Sequence, residues 1–128
     1  MIKESIKYMK ITRSPTIVNI SSIAGRLRSI SLSCAYSSSK AALFGMTRHM
    51  AMELSNHGIR VNCLAPGQTL TPMLKSALSE KGQEELAKKL PLKRLSSPEE
   101  QAKIIYFLSS SESSYINGAI IDSNGGAL

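Results

Sequence analysis

The chain has 128 residues, 42% apolar and 20% charged, which suits one globular domain with a single core. No apolar run approaches the roughly 18 residues that a membrane-spanning helix needs, and aromatics at 5% are too few for the stacking platforms of single-strand nucleic-acid binders. The net charge of +7 is concentrated early, where Lys3, Lys7, Lys10, Arg13, Arg26 and Arg28 face one acid, Glu4; without helix-turn-helix or zinc-finger spacing, it implies an anionic small ligand or plain surface, not nucleic acid.

Taken in order, Met1 to Met9 carries Ile2, Ile6 and Met9 at helical spacing. The first residues hold no uninterrupted apolar segment, so no signal peptide is expected. Arg13-Ser14-Pro15 breaks the helix. Thr16 to Ser21 is β-rich and mostly apolar, as a buried parallel strand is. Gly25 to Ser33, rich in serine, reads as a loop.

A long helix is predicted from about Cys34 to Asn56, with Leu43, Met46, Met50 and Leu54 as its apolar stripe. The small residues Ala41, Ala42, Gly45 and Ala51 would let a neighbouring helix approach closely. Gly58 suits a left-handed helix end. Ile59 to Ala65 reads as a second buried strand, closed by Pro66-Gly67. Strand, helix and strand make a βαβ unit, with a parallel pair and a right-handed crossover.

From Thr71-Pro72 to about Leu90 the chain is helical with Lys/Glu-rich faces. Ser97-Pro98-Glu99-Glu100 is a helix start: serine at the cap, proline at the first position, glutamate at the third. That helix runs through Ile104, Ile105, Phe107 and Leu108. A polar loop, Ser109 to Ser114, and the turn Tyr115-Ile116-Asn117-Gly118 lead to a third strand, Ala119 to Asp122. The predicted fold is therefore α/β, with three parallel strands adjacent in chain order and helices on both faces. Its core is expected around Val61, Leu64, Leu43 and Ile105.

The chemistry is concentrated between Ser21 and Lys40. Ser21-Ser22-Ile23-Ala24-Gly25 follows the first strand, and Tyr36-Ser37-Ser38-Ser39-Lys40 opens the long helix. Positions four apart share a helix face, so a phenol and an ammonium sit one turn apart, with serine hydroxyls arriving from a strand end. A cation beside a phenol favours the phenolate, which makes a tyrosine usable as a general acid or base. Cys34 and Cys63 form no C-x-x-C pair and read as free thiols of a reducing, cytoplasmic compartment, Cys34 as a small residue packed at the helix start. His49 and Glu53 read as a solvated helix face. No metal site is predicted.

This order of motifs resembles the short-chain dehydrogenase/reductase family, and in particular the C-terminal half of a member like the 3-oxoacyl-carrier-protein reductases. The resemblance implies an oxidoreductase transferring hydride between NAD or NADP and a small carbonyl or alcohol substrate. Tyr36 would donate the proton, Lys40 would favour its phenolate and hold the nicotinamide ribose, and Ser22 would orient the carbonyl. Pro66-Gly67-Gln68-Thr69-Leu70-Thr71 matches the stretch that faces the nicotinamide, implying cofactor contacts from Pro66, Gly67, Thr69 and Thr71. A flat ring could lie against Gly67. The resemblance also implies a partial doubly wound, Rossmann-like sheet made of the family's last three strands. It implies a lid over the substrate between Thr71 and Leu90, and a homo-oligomer through the Tyr-Lys helix using Met46, Met50 and Ala51.

The family's T-G-x-x-x-G-x-G turn and its Asn-Asn-Ala-Gly stretch are absent from the 128 residues. Residues 1–128 are thus expected to form one incomplete catalytic half-domain, lacking the N-terminal dinucleotide-binding half. The alternative is a non-catalytic truncated fragment that keeps only fold and pairing surfaces. If the chain folds alone, the first strand is expected to be an uncovered sheet edge, with Ile17, Val18 and Ile20 poorly buried.

Overall fold

A computed structural model describes residues 2–27 and 33–128. Helix α1 (Ile2–Met9) leads to strand β1 (Thr16–Ile20) and a short 3-10 turn (Ile23–Gly25). Helix α2 (Cys34–Leu54) and a second turn (Ser55–His57) lead to β2 (Arg60–Pro66). Helices α3 (Pro72–Ala77), α4 (Glu80–Lys89) and α5 (Pro98–Ser109), then a third turn (Ser111–Ser113), precede β3 (Ile120–Ser123). The central part of the predicted serine-rich loop, 28–32, lies outside the described residues.

The three strands are parallel and adjacent in the order β1–β2–β3. Ile17 lies opposite Val61, and Leu64 lies between Ile20 and Ile121. Side chains alternate across a strand. Val61 therefore joins Ala51, Leu54 and Ile59 in one core cluster, against which Ile6, Met9 and Ile17 pack. Cys63 and Ala65 join Phe44 in another, with Ile120 at its margin. Asn62 and Leu64 point the other way, toward the face where α5 packs on β1 and β2.

The side of α2 that meets the sheet differs from the predicted stripe. Phe44, Thr47, Ala51 and Leu54 are buried, while Leu43, Met46 and Met50 are only half-buried. The physical reason is close approach. Ala51 is small enough for its carbonyl to accept from Asn117 Nδ2 at 3.2 Å, and Thr47 Oγ1 accepts from the buried Asn19 Nδ2 at 2.9 Å while donating to Leu43 O at 2.7 Å. A polar pair thus displaces the bulkier methionines from the seam. Phe44 and Leu108, rather than Leu43 and Ile105, complete the core around Val61 and Leu64. Ala51 is buried by its own chain and cannot serve a subunit interface.

Chain direction is set by local signals that the sequence announces. Gly58 takes φ +68°, the left-handed conformation that ends the α2 region. Ser97 and Glu100 exchange cap bonds at the start of α5, with Ser97 Oγ accepting from Glu100 N at 3.2 Å and Glu100 Oε2 accepting from Ser97 N at 2.8 Å. The second half of the fold is locked by polar side chains. Arg60 donates to the carbonyls of Leu108, Ser110 and Ile116. Asn62 Nδ2 donates to Ile116 O and its Oδ1 accepts from Ala119 N. Asn117 Oδ1 accepts from Val61 N at 2.8 Å. Among the described residues β1 has a strand on one side only, and Ile20 is 42% exposed, as expected of an uncovered edge.

Candidate active site

In a parallel sheet all carboxyl ends lie along one edge, where open α/β folds bind ligands. Here β1 leaves through Ser21-Ser22 and β2 through Pro66-Gly67. The two serines have different tasks. Ser21 is buried; its N–H extends the ladder to Leu64 O at 2.8 Å, and its Oγ donates to Lys40 O at 2.7 Å. Ser22 is half-buried and extended, and its Oγ accepts from Ala24 N at 3.1 Å, capping the 3-10 turn. Accepting that bond leaves the Ser22 hydroxyl proton to donate.

Gly25 holds this segment against α2. A Cβ there would lie 2.8 Å from the Phe44 ring and 2.9 Å from Ala41 N, so only glycine lets the turn sit on the helix beside Lys40. Spacing within the Ser21–Gly25 motif gives Gly25 no task; its contact with α2 does. Arg26, one more loop charge in the sequence, pairs with Asp122 of β3 at 2.9 Å and lies 5.0 Å from the Phe44 ring centroid.

The helix start is set by Ser33, whose Oγ accepts from Tyr36 N at 3.2 Å. One turn on, Lys40 Nζ stands 5.7 Å from the Tyr36 ring centroid and donates to Ile20 O at 3.1 Å. Lys40 therefore bridges α2 to the last residue of β1. An ammonium has three N–H groups, so two remain after that bond. Tyr36 is 36% exposed. Phenol, ammonium and the Ser22 hydroxyl thus occupy one end of the sheet, a set able to move a proton.

The second predicted stretch is also at this edge, with its hydroxyls engaged. Thr69 Oγ1 donates to Gly67 O at 3.2 Å and pairs with Ser96 Oγ at 2.9 Å. Thr71 Oγ1 caps α3 by accepting from Leu74 N at 3.3 Å. At Gly67 the Cβ side is taken: a Cβ there would lie 2.7 Å from Asn124 Cα, so the chain after β3 packs against that side of the glycine.

Cys34 is exposed, not packed, with Sγ 3.8 Å from Ser38 Oγ. Cys63 is buried, and burial pushes its thiol pKa up. His49 and Glu53 are 3.8 Å apart and both largely exposed. Among the described residues no group of three or more His, Cys, Asp or Glu could hold a metal. A cavity of about 520 Å³ lined by Ser14, Arg60, Tyr115 and Asn117 opens at the amino ends of the strands, the edge opposite Tyr36.

A parallel sheet with helices on both faces and polar side chains gathered at its carboxyl edge defines a class, the open α/β folds that bind ligands at their strand ends. Comparison narrows it. A family profile described as Enoyl-(Acyl carrier protein) reductase matches residues 1–127. The 3-oxoacyl-(acyl-carrier-protein) reductase FabG of Thermotoga maritima is 43% identical over 123 residues, covering 96% of this chain and 49% of that protein. The (3R)-3-hydroxyacyl-CoA dehydrogenase of Rattus norvegicus is 40% identical over 111 residues, 87% of this chain and 42% of that protein. The crystal structure of a 3-oxoacyl-(acyl-carrier protein) reductase from Brucella melitensis superposes with a TM-score of 0.90 at 38% identity, covering 98% of this chain and 46% of that one. The chain belongs to the short-chain dehydrogenase/reductase family and is similar to its 3-oxoacyl-carrier-protein reductases. It spans about half the length of the curated relatives it matches. No described helix is long and apolar enough to cross a membrane.

Proposed function

We propose that this chain supplies the nicotinamide and substrate side of an NAD- or NADP-dependent oxidoreductase that interconverts a carbonyl and an alcohol. The observation that carries the reading is the placement of Lys40 Nζ 5.7 Å from the Tyr36 ring centroid, at the strand ends beside Ser22. Related structures hold NAD in a Brucella melitensis reductase and NADPH in a Pseudomonas aeruginosa oxidoreductase.

The donor set fits the polar nicotinamide-ribose end of such a cofactor. Lys40 keeps two N–H groups for ribose hydroxyls, and Thr71, which accepts from Leu74 N, keeps its own proton to donate. Pro66, Gly67 and Thr69 would shape the same wall with backbone and lone pairs. The described residues have no glycine-rich turn for the phosphates. The cofactor, when bound, supplies or takes up the hydride. Tyr36 gives a proton to the substrate oxygen during reduction and takes it back during oxidation. Ser22 donates a hydrogen bond to the same oxygen, which strengthens as negative charge develops there. Lys40 places its positive charge beside the Tyr36 ring, 5.7 Å from the centroid.

Turnover on this reading requires a glycine-rich βαβ unit seated against the open edge of β1, in the same polypeptide or in a partner. A 3-oxoacyl group on carrier protein or coenzyme A is the substrate to test first, since the named relatives act there. The second reading is a non-catalytic chain that keeps only fold and pairing surfaces.

Calorimetric titration of the purified chain with NADH and NADPH, then turnover assays after adding the part of the Thermotoga maritima relative that this chain does not match, separate the two. The catalytic reading expects weak or no binding alone and activity on complementation. In that active form, Tyr36→Phe should lose about 10²–10⁴-fold or more in turnover, and Ser22→Ala should lower kcat more than it raises KM. Full activity in Tyr36→Phe overturns the assignment; inactivity in every complemented mixture favours the non-catalytic reading.

A further inference from the structure

Gln101 is an amide on the sheet-facing side of α5, 6% exposed, where an apolar residue would pack without cost. Its Oε1 is the one buried side-chain oxygen or nitrogen without a hydrogen-bond partner among the described residues. A buried amide left half-satisfied lowers stability relative to an apolar residue of the same size, so packing alone does not account for it.

Its nitrogen does have partners, and both lead to one residue. Nε2 donates to Ser96 Oγ at 2.9 Å and to Ser123 O at 3.4 Å. The Ser123 carbonyl can only accept, which fixes the amide with its nitrogen on that side. Ser123 O also accepts from Gly67 N at 2.8 Å. Ser96 Oγ pairs with Thr69 Oγ1 at 2.9 Å, and Thr69 Oγ1 reaches Gly67 O at 3.2 Å. Backbone bonds run alongside, from Ser96 N to Gln68 O and from Leu70 N to Ser96 O. The amide nitrogen of Gln101 is therefore one atom, Ser123 O, removed from Gly67 N–H, and two hydroxyls removed from Gly67 C=O.

We infer that Gln101 is the positioning residue of the loop that leaves β2, holding the peptide groups around Gly67 from α5 through Ser96, Thr69 and Ser123. This rests on the reading above that the Pro66–Thr71 loop faces the nicotinamide. The relay also sets what the loop offers. Ser96 receives the Gln101 proton and passes its own to Thr69 or to Gln68 O, 3.3 Å away. The Thr69 proton goes to Gly67 O or back to Ser96. In both arrangements the hydroxyl protons are spent inside the protein, so Thr69 turns only lone pairs outward and can meet a ligand as an acceptor. Thr71 is the complementary donor.

The test is residue-resolved amide hydrogen exchange on the chain without cofactor. Gln101→Leu should keep or raise the thermal midpoint. Exchange at Gly67, Leu70 and Ser96 should accelerate about tenfold while Val61 and Cys63 of β2 keep their rates. Gln101→Glu should add a pH step: below the carboxyl titration a COOH donates to Ser96 and protection holds, above it a carboxylate cannot and protection falls. Wild type should show no such step. Unchanged protection in Gln101→Leu, loss spread equally over β2, or no pH step in Gln101→Glu overturns the inference. Should Gln101→Leu fail to fold, Ser96→Ala must reproduce the local loss, and unchanged protection there is equally fatal. In a complemented active form, Gln101→Leu should raise KM for NADH about tenfold with kcat within about twofold, and an unchanged KM counts against it. Exchange needs no cofactor, so failure of the exchange result overturns the positioning role, whereas failure of complementation overturns only the functional reading.

Discussion

β1 and β2 are neighbours of similar composition in opposite surroundings. Each is mostly apolar, and each carries one buried asparagine, Asn19 or Asn62. Yet Val61, Cys63, Leu64 and Ala65 are fully buried, whereas β1 buries only Asn19 and leaves Ile20 42% exposed. Ile20 and Leu64 are direct partners in the register, so they sit at the same height in the sheet. The difference comes from what flanks them. β2 has a strand on both sides; β1 has one and a free edge of backbone N–H and C=O groups. Burial of a strand is a property of its neighbours, and a sequence that reads as buried on both faces points to a neighbour.

The largest effect should come from truncating the central strand. Leu64→Ala is expected to cost about 2–5 kcal/mol by urea denaturation, and Ile20→Ala less than about 1.5 kcal/mol, since a half-exposed side chain leaves less cavity. Equal losses would break the comparison and mean that β1 is covered in solution. Next come the glycines at the two strand exits. Gly25→Ala and Gly67→Ala each place a Cβ within 2.9 Å of backbone, at Lys40–Ala41 and at Asn124 respectively. Each should cost about 1–3 kcal/mol in a thermal melt, as overpacking does. A tolerated Gly67→Ala would show that the chain after β3 moves aside more readily than α2 does.

A smaller effect concerns the cap of α5, which covers the face shared by β1 and β2. The Arg94 guanidinium, bidentate to Glu100 at 2.7 Å, and the Ser97 N–H lower the Glu100 pKa to about 2. The folded pKa lies below the ordinary carboxylate value, so the stabilisation is complete above about pH 5 and is lost as pH falls toward 2. The melting temperature should therefore decline over that window, and Glu100→Gln should remove its share of the slope; an unchanged slope would detach the cap from stability. The smallest effect on stability, within about 0.5 kcal/mol, is expected of Ile20→Gln. It should nevertheless reduce concentration-dependent association in light scattering if the β1 edge templates it. Association that persists would point to the outer face of α2, where Ala41, Ala42 and Gly45 are exposed and Met52 is 71% exposed. A clean monomer of the wild-type chain at high concentration would remove both surfaces.

Short-range spacing made much of this protein legible without coordinates. The βαβαβ order, the Ser97–Glu100 cap and the left-handed Gly58 follow from patterns a few residues long, because hydrogen bonding and sterics along one segment decide them, and the parallel pairing follows from the helical crossovers between the strands. The placement of Tyr36 over Lys40 by one helical turn has the same origin, as does the arrival of Ser22 at a strand end. What needed the tertiary structure were choices between near-equivalent local solutions. A helix can turn by one position, about 100°, at no local cost, so only the sheet could select Phe44, Thr47 and Ala51 over Leu43, Met46 and Met50. Two adjacent serines are chemically alike until Lys40 O takes the proton of Ser21 and leaves that of Ser22. Gln101 looks like one more polar helix residue until the fold brings it to Ser96 and Ser123, on segments that meet only once the sheet is assembled. Local geometry wrote the elements; contacts between residues far apart in the chain decided which of their faces and hydroxyls do the work.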